Sequence, residues 1–158
     1  MLLGGVFKAT GNASPISVPA KGRYMFDDLA RYAKRYNVAL KFNPHFPINT
    51  LVLMRAVMGI QMRQPERFQA FIDCLFRAIW VEGRHLGDPA VVAAVLSEAG
   101  FDPEEVLNLA NDEKVKAALK DKTEQAVQRG VFGAPSMFVG NDLFFGQDRL
   151  EFVREALR

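Results

Sequence analysis

The chain has 158 residues, 49% of them hydrophobic and 24% charged, which is the make-up of one soluble domain or of one domain carrying an insertion. Its formal net charge of +2 is too small to argue for nucleic acid or an anionic membrane as a partner. A single cysteine, Cys74, rules out an intrachain disulfide and a Cys-x-x-Cys pair, and two histidines, His45 and His85, give little material for a metal site.

Residues 1 to 21 carry Gly, Ser and Pro and read as extended chain and loop, with residues 1 to 5 as a candidate strand. The start, MLLGGVFKATGNA, lacks the charged beginning and long apolar run of a secretory signal. No stretch reaches the length of a membrane span, and the lone cysteine fits a reducing compartment, so a cytoplasmic setting is expected. In KGRYMFDDLARYAKRYN, the residues Tyr24, Met25, Leu29, Tyr32, Ala33 and Tyr36 share one helical face. The prolines of VALKFNPHFPIN keep that segment extended.

Thr50 starts a helix running to about Met62, with Leu51, Met54, Val57 and Met58 as its expected buried face. Pro65 opens the next helix, whose apolar positions from Phe68 to Trp80 recur at i, i+3, i+4 and i+7; Gly83 marks its end. The Phe and Trp stripe of that helix is core, and Cys74 within it reads as a structural thiol. Asp88-Pro89 and Asp102-Pro103 each pair a capping acid with a first-turn proline, so each starts a short helix. Another helix spans roughly Glu113 to Gln128 and ends at Gly130. SMFVG and LFFG, around Asn141-Asp142, read as a tight hairpin, and DRLEFVREALR as a last amphipathic helix with Leu150, Phe152, Val153 and Leu157 available for burial. A two-stranded hairpin does not stand alone in water, so more strands are expected around it.

Pro135 heads the first of those strands. Taken alone it reads equally well as a plain structural residue that ends the helix and starts the strand. Its surroundings, GVFGAPSMFVGNDLFFGQDRL, together with LLGGVFKATGN, VPAKGRYMFDDLARYAKRYNV and FNPHFPINTLVLMRA, resemble the 2-hydroxychromene-2-carboxylate isomerases. These are relatives of the kappa-class glutathione transferases and of the disulfide oxidoreductases, and the likeness extends over essentially the whole chain. It implies an α/β, helix-rich, thioredoxin-like fold with an all-helical insertion. Residues 1–21 and 129–158 would form a partial thioredoxin-like domain, and 22–128 the inserted helical domain. Family members carry roughly 40 residues ahead of the position matching Met1, enough for a first βαβ unit. That segment holds a Ser-Pro-aromatic motif whose serine serves the glutathione thiolate, and this chain contains no such motif. The expectation is therefore a chain shortened at its start, or a short relative without the catalytic serine, and no catalytic residue is assigned.

The resemblance further implies a glutathione site. Pro135 would be cis and leave the backbone of Ala134 open to the cysteinyl unit of the tripeptide, as an added strand. Gln147 and Asp148 would hold the γ-glutamyl end, although Asp148 also reads as a plain helix cap, and both roles are compatible. Asn12 and Lys21 match positions near the glycyl end and the thiol; Lys21 is equally readable as a solvated surface charge. Lys8 is a candidate for the carboxylate of a small aromatic 2-oxo acid substrate, while His45 reads as a loop residue. The implied chemistry is reversible thiol addition with isomerisation, in a homodimer, with glutathione as cofactor and no metal. A glutathione transferase or disulfide oxidoreductase relative is the alternative, and a non-catalytic remnant with unpaired strand edges a further one.

Overall fold

The computed structural model describes residues 1–158 throughout. They form eight α-helices, three short 3₁₀ turns and one antiparallel hairpin. The chain divides into two compact units: Pro15–Ala118, all helical, and Met1–Ser14 with Leu119–Arg158, which carries the hairpin. No helix is long and apolar enough to cross a membrane.

In the helical unit, α2 (Pro19–Tyr36) has proline in its first turn and closes on Asn37, which lies in the left-handed region at φ 52°. A 3₁₀ turn, Pro15–Ser17, precedes it and passes close to Gly22, where an added Cβ would lie 3.3 Å from the Ile16 Cα. The proline-rich segment after α2, read as extended, is non-helical and turns at Pro44-His45. It is pinned by Asn43, a wholly buried side chain whose amide donates to the carbonyls of Ile79 (3.0 Å) and Arg84 (2.9 Å) and whose oxygen accepts from the His45 N–H (2.9 Å). All three bonds satisfy a polar group that would be costly to bury bare. The Phe46–Pro47 bond in this segment is cis, which the sequence did not signal.

Helices α3 (Leu51–Arg63), α4 (Phe68–Trp80), α5 (Pro89–Glu98) and α6 (Pro103–Asn111) build the core. The two Asp-Pro starts form as read: Asp88 accepts from the Ala90 N–H at 2.8 Å, and Asp102 from the Glu104 N–H at 2.9 Å. The buried face of α3 is only partly the predicted one, with Met58 buried as read. Leu53, Ala56, Met58, Gly59 and Ile60 are buried, whereas Leu51, Met54 and Val57 are only half-buried. The helix is apolar almost all round, so its periodicity underdetermines its inner face, and the tight approach at Gly59 decides it. A Cβ there would lie 2.8 Å from the Cβ of Leu109 on α6. On α4, Phe71 is fully buried and meets Phe101 edge-on at 5.0 Å, while Phe76, read as core, is 61% exposed.

The hairpin unit corrects the reading of the first residues. Leu3–Thr10 is a helix, α1, and neither a strand nor extended chain. No strand is placed beside it to pair with, since the sheet consists of β1 and β2 alone. Local contacts favour the helix instead: Val6 is wholly buried, the Leu2 N–H donates to the Thr123 hydroxyl (2.9 Å), and Gly11 at φ 68° ends it. Helix α7 (Glu113–Gln128) leads through Gly130 to β1 (Ser136–Val139) and β2 (Asp142–Phe145), in register from Ser136↔Phe145 to Val139↔Asp142. The turn itself is Gly140-Asn141, one residue earlier than read. A 3₁₀ turn, Gln147–Arg149, then enters α8 (Leu150–Ala156). The order helix, proline, strand, turn, strand, helix is the one expected of this half of the chain.

Candidate functional site

Three hydrogen bonds shape the loop that links α7 to β1. The Asn12 side-chain amide donates to the Phe132 carbonyl at 2.8 Å. The Ser136 hydroxyl donates to the Gly133 carbonyl at 2.8 Å. The Gly146 N–H donates to the Pro135 carbonyl at 3.1 Å. Between these fixed points lies Ala134, exposed, with neither its N–H nor its carbonyl bonded within the chain. The Ala134–Pro135 bond is cis. Ala134 leads directly into β1, whose one strand partner is β2. An unpaired N–H and carbonyl at a held strand end can accept an extended peptide.

Two glycines let the loop take this path. A Cβ on Gly133 would lie 2.7 Å from the Phe145 ring, which also meets Phe132 at 4.6 Å. Gly146 has φ 107°, a conformation that side chains disfavour, and a Cβ there would collide with the Asp148 carboxylate. Neither glycine was singled out from sequence for this role, although each follows a phenylalanine in the runs VFGAP and LFFGQD. Arg129 lies over the Phe138 ring at 3.6 Å, a cation–π contact on β1 of the same hairpin.

The structure thus brings Asn12, Ala134, Pro135, Gln147 and Asp148 into one loop cluster. Asp148 is not a helix cap: the cap of α8 is Arg149 and makes no side-chain bond, and the Asp148 carboxylate instead pairs with the Arg149 guanidinium at 2.5 Å. The intervening 3₁₀ turn is the reason, because it moves the helix start beyond Asp148. Asn12 spends its oxygen on the Ala13 N–H (2.8 Å) and one amide hydrogen on Phe132, so it acts by positioning the loop. Lys8 is exposed in the last turn of α1 and forms no ion pair. Lys21 lies in the other unit, in the first turn of α2, where it lines an open hollow with Tyr24, Met25 and Asp28.

The remaining chemical groups have local roles. Cys74 is half-buried, its thiol donates to the Phe71 carbonyl at 3.1 Å, and burial pushes its pKa up, so it is a poor nucleophile. His45 stacks on His85, with ring centres 4.4 Å apart and planes 9° from parallel.

The family profile of the DSBA-like thioredoxin domain matches residues 1–158. Among curated proteins, the chain is 30% identical to a 2-hydroxychromene-2-carboxylate isomerase of Sphingobium xenophagum, covering 94% of this chain and 75% of that one. It is 27% identical to a glutathione S-transferase kappa 1 of Rattus norvegicus, covering 99% and 74%. Among solved structures, a 2-hydroxychromene-2-carboxylate isomerase superposes with a TM-score of 0.82 at 26% identity, over 99% of this chain and 76% of that one. A putative protein disulfide isomerase from Nitrosomonas europaea superposes with a TM-score of 0.67 at 18% identity, over 89% and 73%, and shows the fold alone. The chain therefore spans about three quarters of the relatives it matches. The helix-rich architecture, the helical insertion and the hairpin following a cis proline agree with these likenesses, and the chain belongs to the DSBA-like thioredoxin domain family.

Proposed function

We propose that the chain serves a glutathione-dependent isomerisation of the 2-hydroxychromene-2-carboxylate type, acting on a small aromatic 2-oxo acid as a cytoplasmic homodimer. The observation that carries this reading is the open backbone of Ala134, held by Asn12, Ser136 and Gly146. A tripeptide needs such an edge, and the isomerase from Sphingobium xenophagum is among the relatives. When bound, glutathione supplies a thiolate that can add reversibly to an activated carbon.

The residues present fit that cofactor. Ala134 offers one donor and one acceptor to the cysteinyl unit, and Pro135 fixes the direction of the edge. Gln147 and Asp148 take the γ-glutamyl end, with the Asp148 carboxylate shared between the ligand ammonium and Arg149. Lys8, an exposed cation in the same unit as Ala134, is assigned to the substrate carboxylate. Asn12 keeps the loop in place.

Millimolar glutathione is expected to raise the melting temperature of the full chain, since a ligand at a hundred times its Kd stabilises by about 2.7 kcal/mol. Conversion of 2-hydroxychromene-2-carboxylate in its presence, followed by absorbance, is the second expected result. No thermal shift and no conversion would overturn the reading. The match to rat glutathione S-transferase kappa 1 over 99% of the chain supports a second reading, glutathione conjugation. A thermal shift with turnover of chlorodinitrobenzene, and none of the chromene, would favour it.

A further inference from the structure

The helical unit contains a cleft of about 400 Å³, open to solvent at its rim and lined by residues of α3, α4, α5 and α6 and of the loops beside them. Its floor is the core itself: Leu53, Phe71, Leu96 and Val106 line it, and each is at most 6% exposed. A concave, mostly apolar recess of this size, floored by core side chains and carrying few polar groups, has the form of a small-molecule site. An apolar cavity of about 150 Å³ holds benzene, so this one has room for roughly two to three such rings.

The walls define the chemistry. Only two lining residues are polar, Asn49 and Glu104; the others are apolar or glycine. No lysine, arginine or histidine lines the space, and Glu104 contributes a negative charge, which disfavours an anionic occupant. The Asn49 oxygen already accepts from the Leu51 N–H at 3.1 Å, which leaves its amide hydrogens to donate. Val52 and Leu107 border the opening at 51% and 52% exposure, giving an apolar entrance.

We propose that this cavity binds an uncharged aromatic molecule of two fused rings bearing one carbonyl or hydroxyl acceptor for Asn49. None of the residues of the Ala134 loop cluster lines it, so the inference stands whatever binds there.

The test is fluorescence titration of the full chain with Prodan, an uncharged naphthyl ketone. One site per chain with blue-shifted emission is expected. Ala93→Phe, which fills the cavity from α5, should weaken binding at least ~10-fold. Asn49→Ala should weaken it roughly 2- to 10-fold, as loss of one hydrogen bond does. Should Ala93→Phe fail to fold, the exposed rim change Leu107→Asn supplies the test, with a loss of roughly 3-fold expected from reduced apolar contact. An anilinonaphthalene sulfonate should bind at least ~10-fold more weakly than Prodan because its charge must enter beside Glu104. Equal or tighter binding of the sulfonate, or Prodan binding untouched by the cavity and rim variants, overturns the proposal. So does a dimer that Leu107→Asn dissociates, in a chain that takes up no Prodan: the face would then be a subunit interface.

Discussion

In the helical unit, Phe71 and Ile60 are wholly buried, and one continuous apolar cluster runs from Leu53 to Ala110. In the hairpin unit the largest wholly buried side chain is Val6, while Leu150, Phe152 and Leu157 are 40%, 54% and 71% exposed. One unit is shaped by side-chain packing. The other is shaped by backbone hydrogen bonds, a proline and two constrained glycines. The candidate site belongs to the second kind, so its geometry depends on backbone conformation more than on buried area.

The largest expected effect tests the first half of that contrast. Phe71→Ala should cost about 3–5 kcal/mol in urea unfolding, the usual range for a buried phenylalanine. Val6→Ala, in the hairpin unit, should cost roughly 2 kcal/mol, since it removes two buried carbons. Equal costs for the two would break the comparison, because they would place as much packing energy around Val6 as around Phe71.

Glycine substitutions separate the two kinds of shape. Gly59→Ala puts a Cβ 2.8 Å from Leu109 and should cost about 1–3 kcal/mol through overpacking of α3 on α6. Gly146→Ala should cost a similar ~1–3 kcal/mol, but through a backbone conformation that alanine disfavours and a clash with Asp148. Hydrogen exchange would tell them apart. The first should raise exchange across α3 and α6, the second only around the hairpin and the loop before it, with loss of any glutathione-induced thermal shift. Exchange spreading through the helical unit in Gly146→Ala would show that the units unfold as one.

The same division explains what the sequence made legible. Helices α5 and α6 were readable because Asp88 and Asp102 act on amides two residues away, and a local signal needs no tertiary context. Helix α1 was misread because its order comes from distant groups. Gly4 and Gly5 argue against a helix locally, yet the Thr123 hydroxyl meets the Leu2 N–H, and the Thr123 methyl would lie 3.0 Å from a Cβ on Gly5. The inner face of α3 was hidden for a related reason, since an apolar helix shows its partner only once α6 is in place. In the loop cluster, the types of residue were legible through the resemblance, as was the cis proline. The bonds that hold the loop, from Asn12 to Phe132 across 120 positions and from Gly146 to Pro135, were not, because nothing local encodes them. Asn12→Ala should therefore cost about 0.5–1.5 kcal/mol and raise proteolytic sensitivity at residues 129–135, with little change in the helical unit.

The smallest expected effect is electrostatic and lies at the start of α7, the helix whose sequence runs from the helical unit into the hairpin unit. Asp112 ends α6 and starts α7, accepting from the Lys114 N–H at 2.7 Å and the Val115 N–H at 3.3 Å, with Arg63 3.8 Å away. Those backbone bonds, aided by the Arg63 charge, hold its carboxyl below the ordinary value of 3.8. A carboxylate depressed in the folded state stabilises fully above that ordinary value and loses its contribution as pH falls through the lower, folded one. Asp112→Asn should therefore flatten the acid limb of the stability profile below about pH 4 and leave the neutral-pH melting temperature nearly unchanged, since asparagine also caps. Glu98, bonded by Arg84 at 2.6 Å, is likewise held below its ordinary value, so Glu98→Gln serves as the control within the helical unit. If Asp112→Asn alters hairpin exchange at acid pH while Glu98→Gln does not, α7 carries the loss of its cap into the unit that holds the Ala134 edge. If both act alike and only on the helices, the two units respond to acid separately.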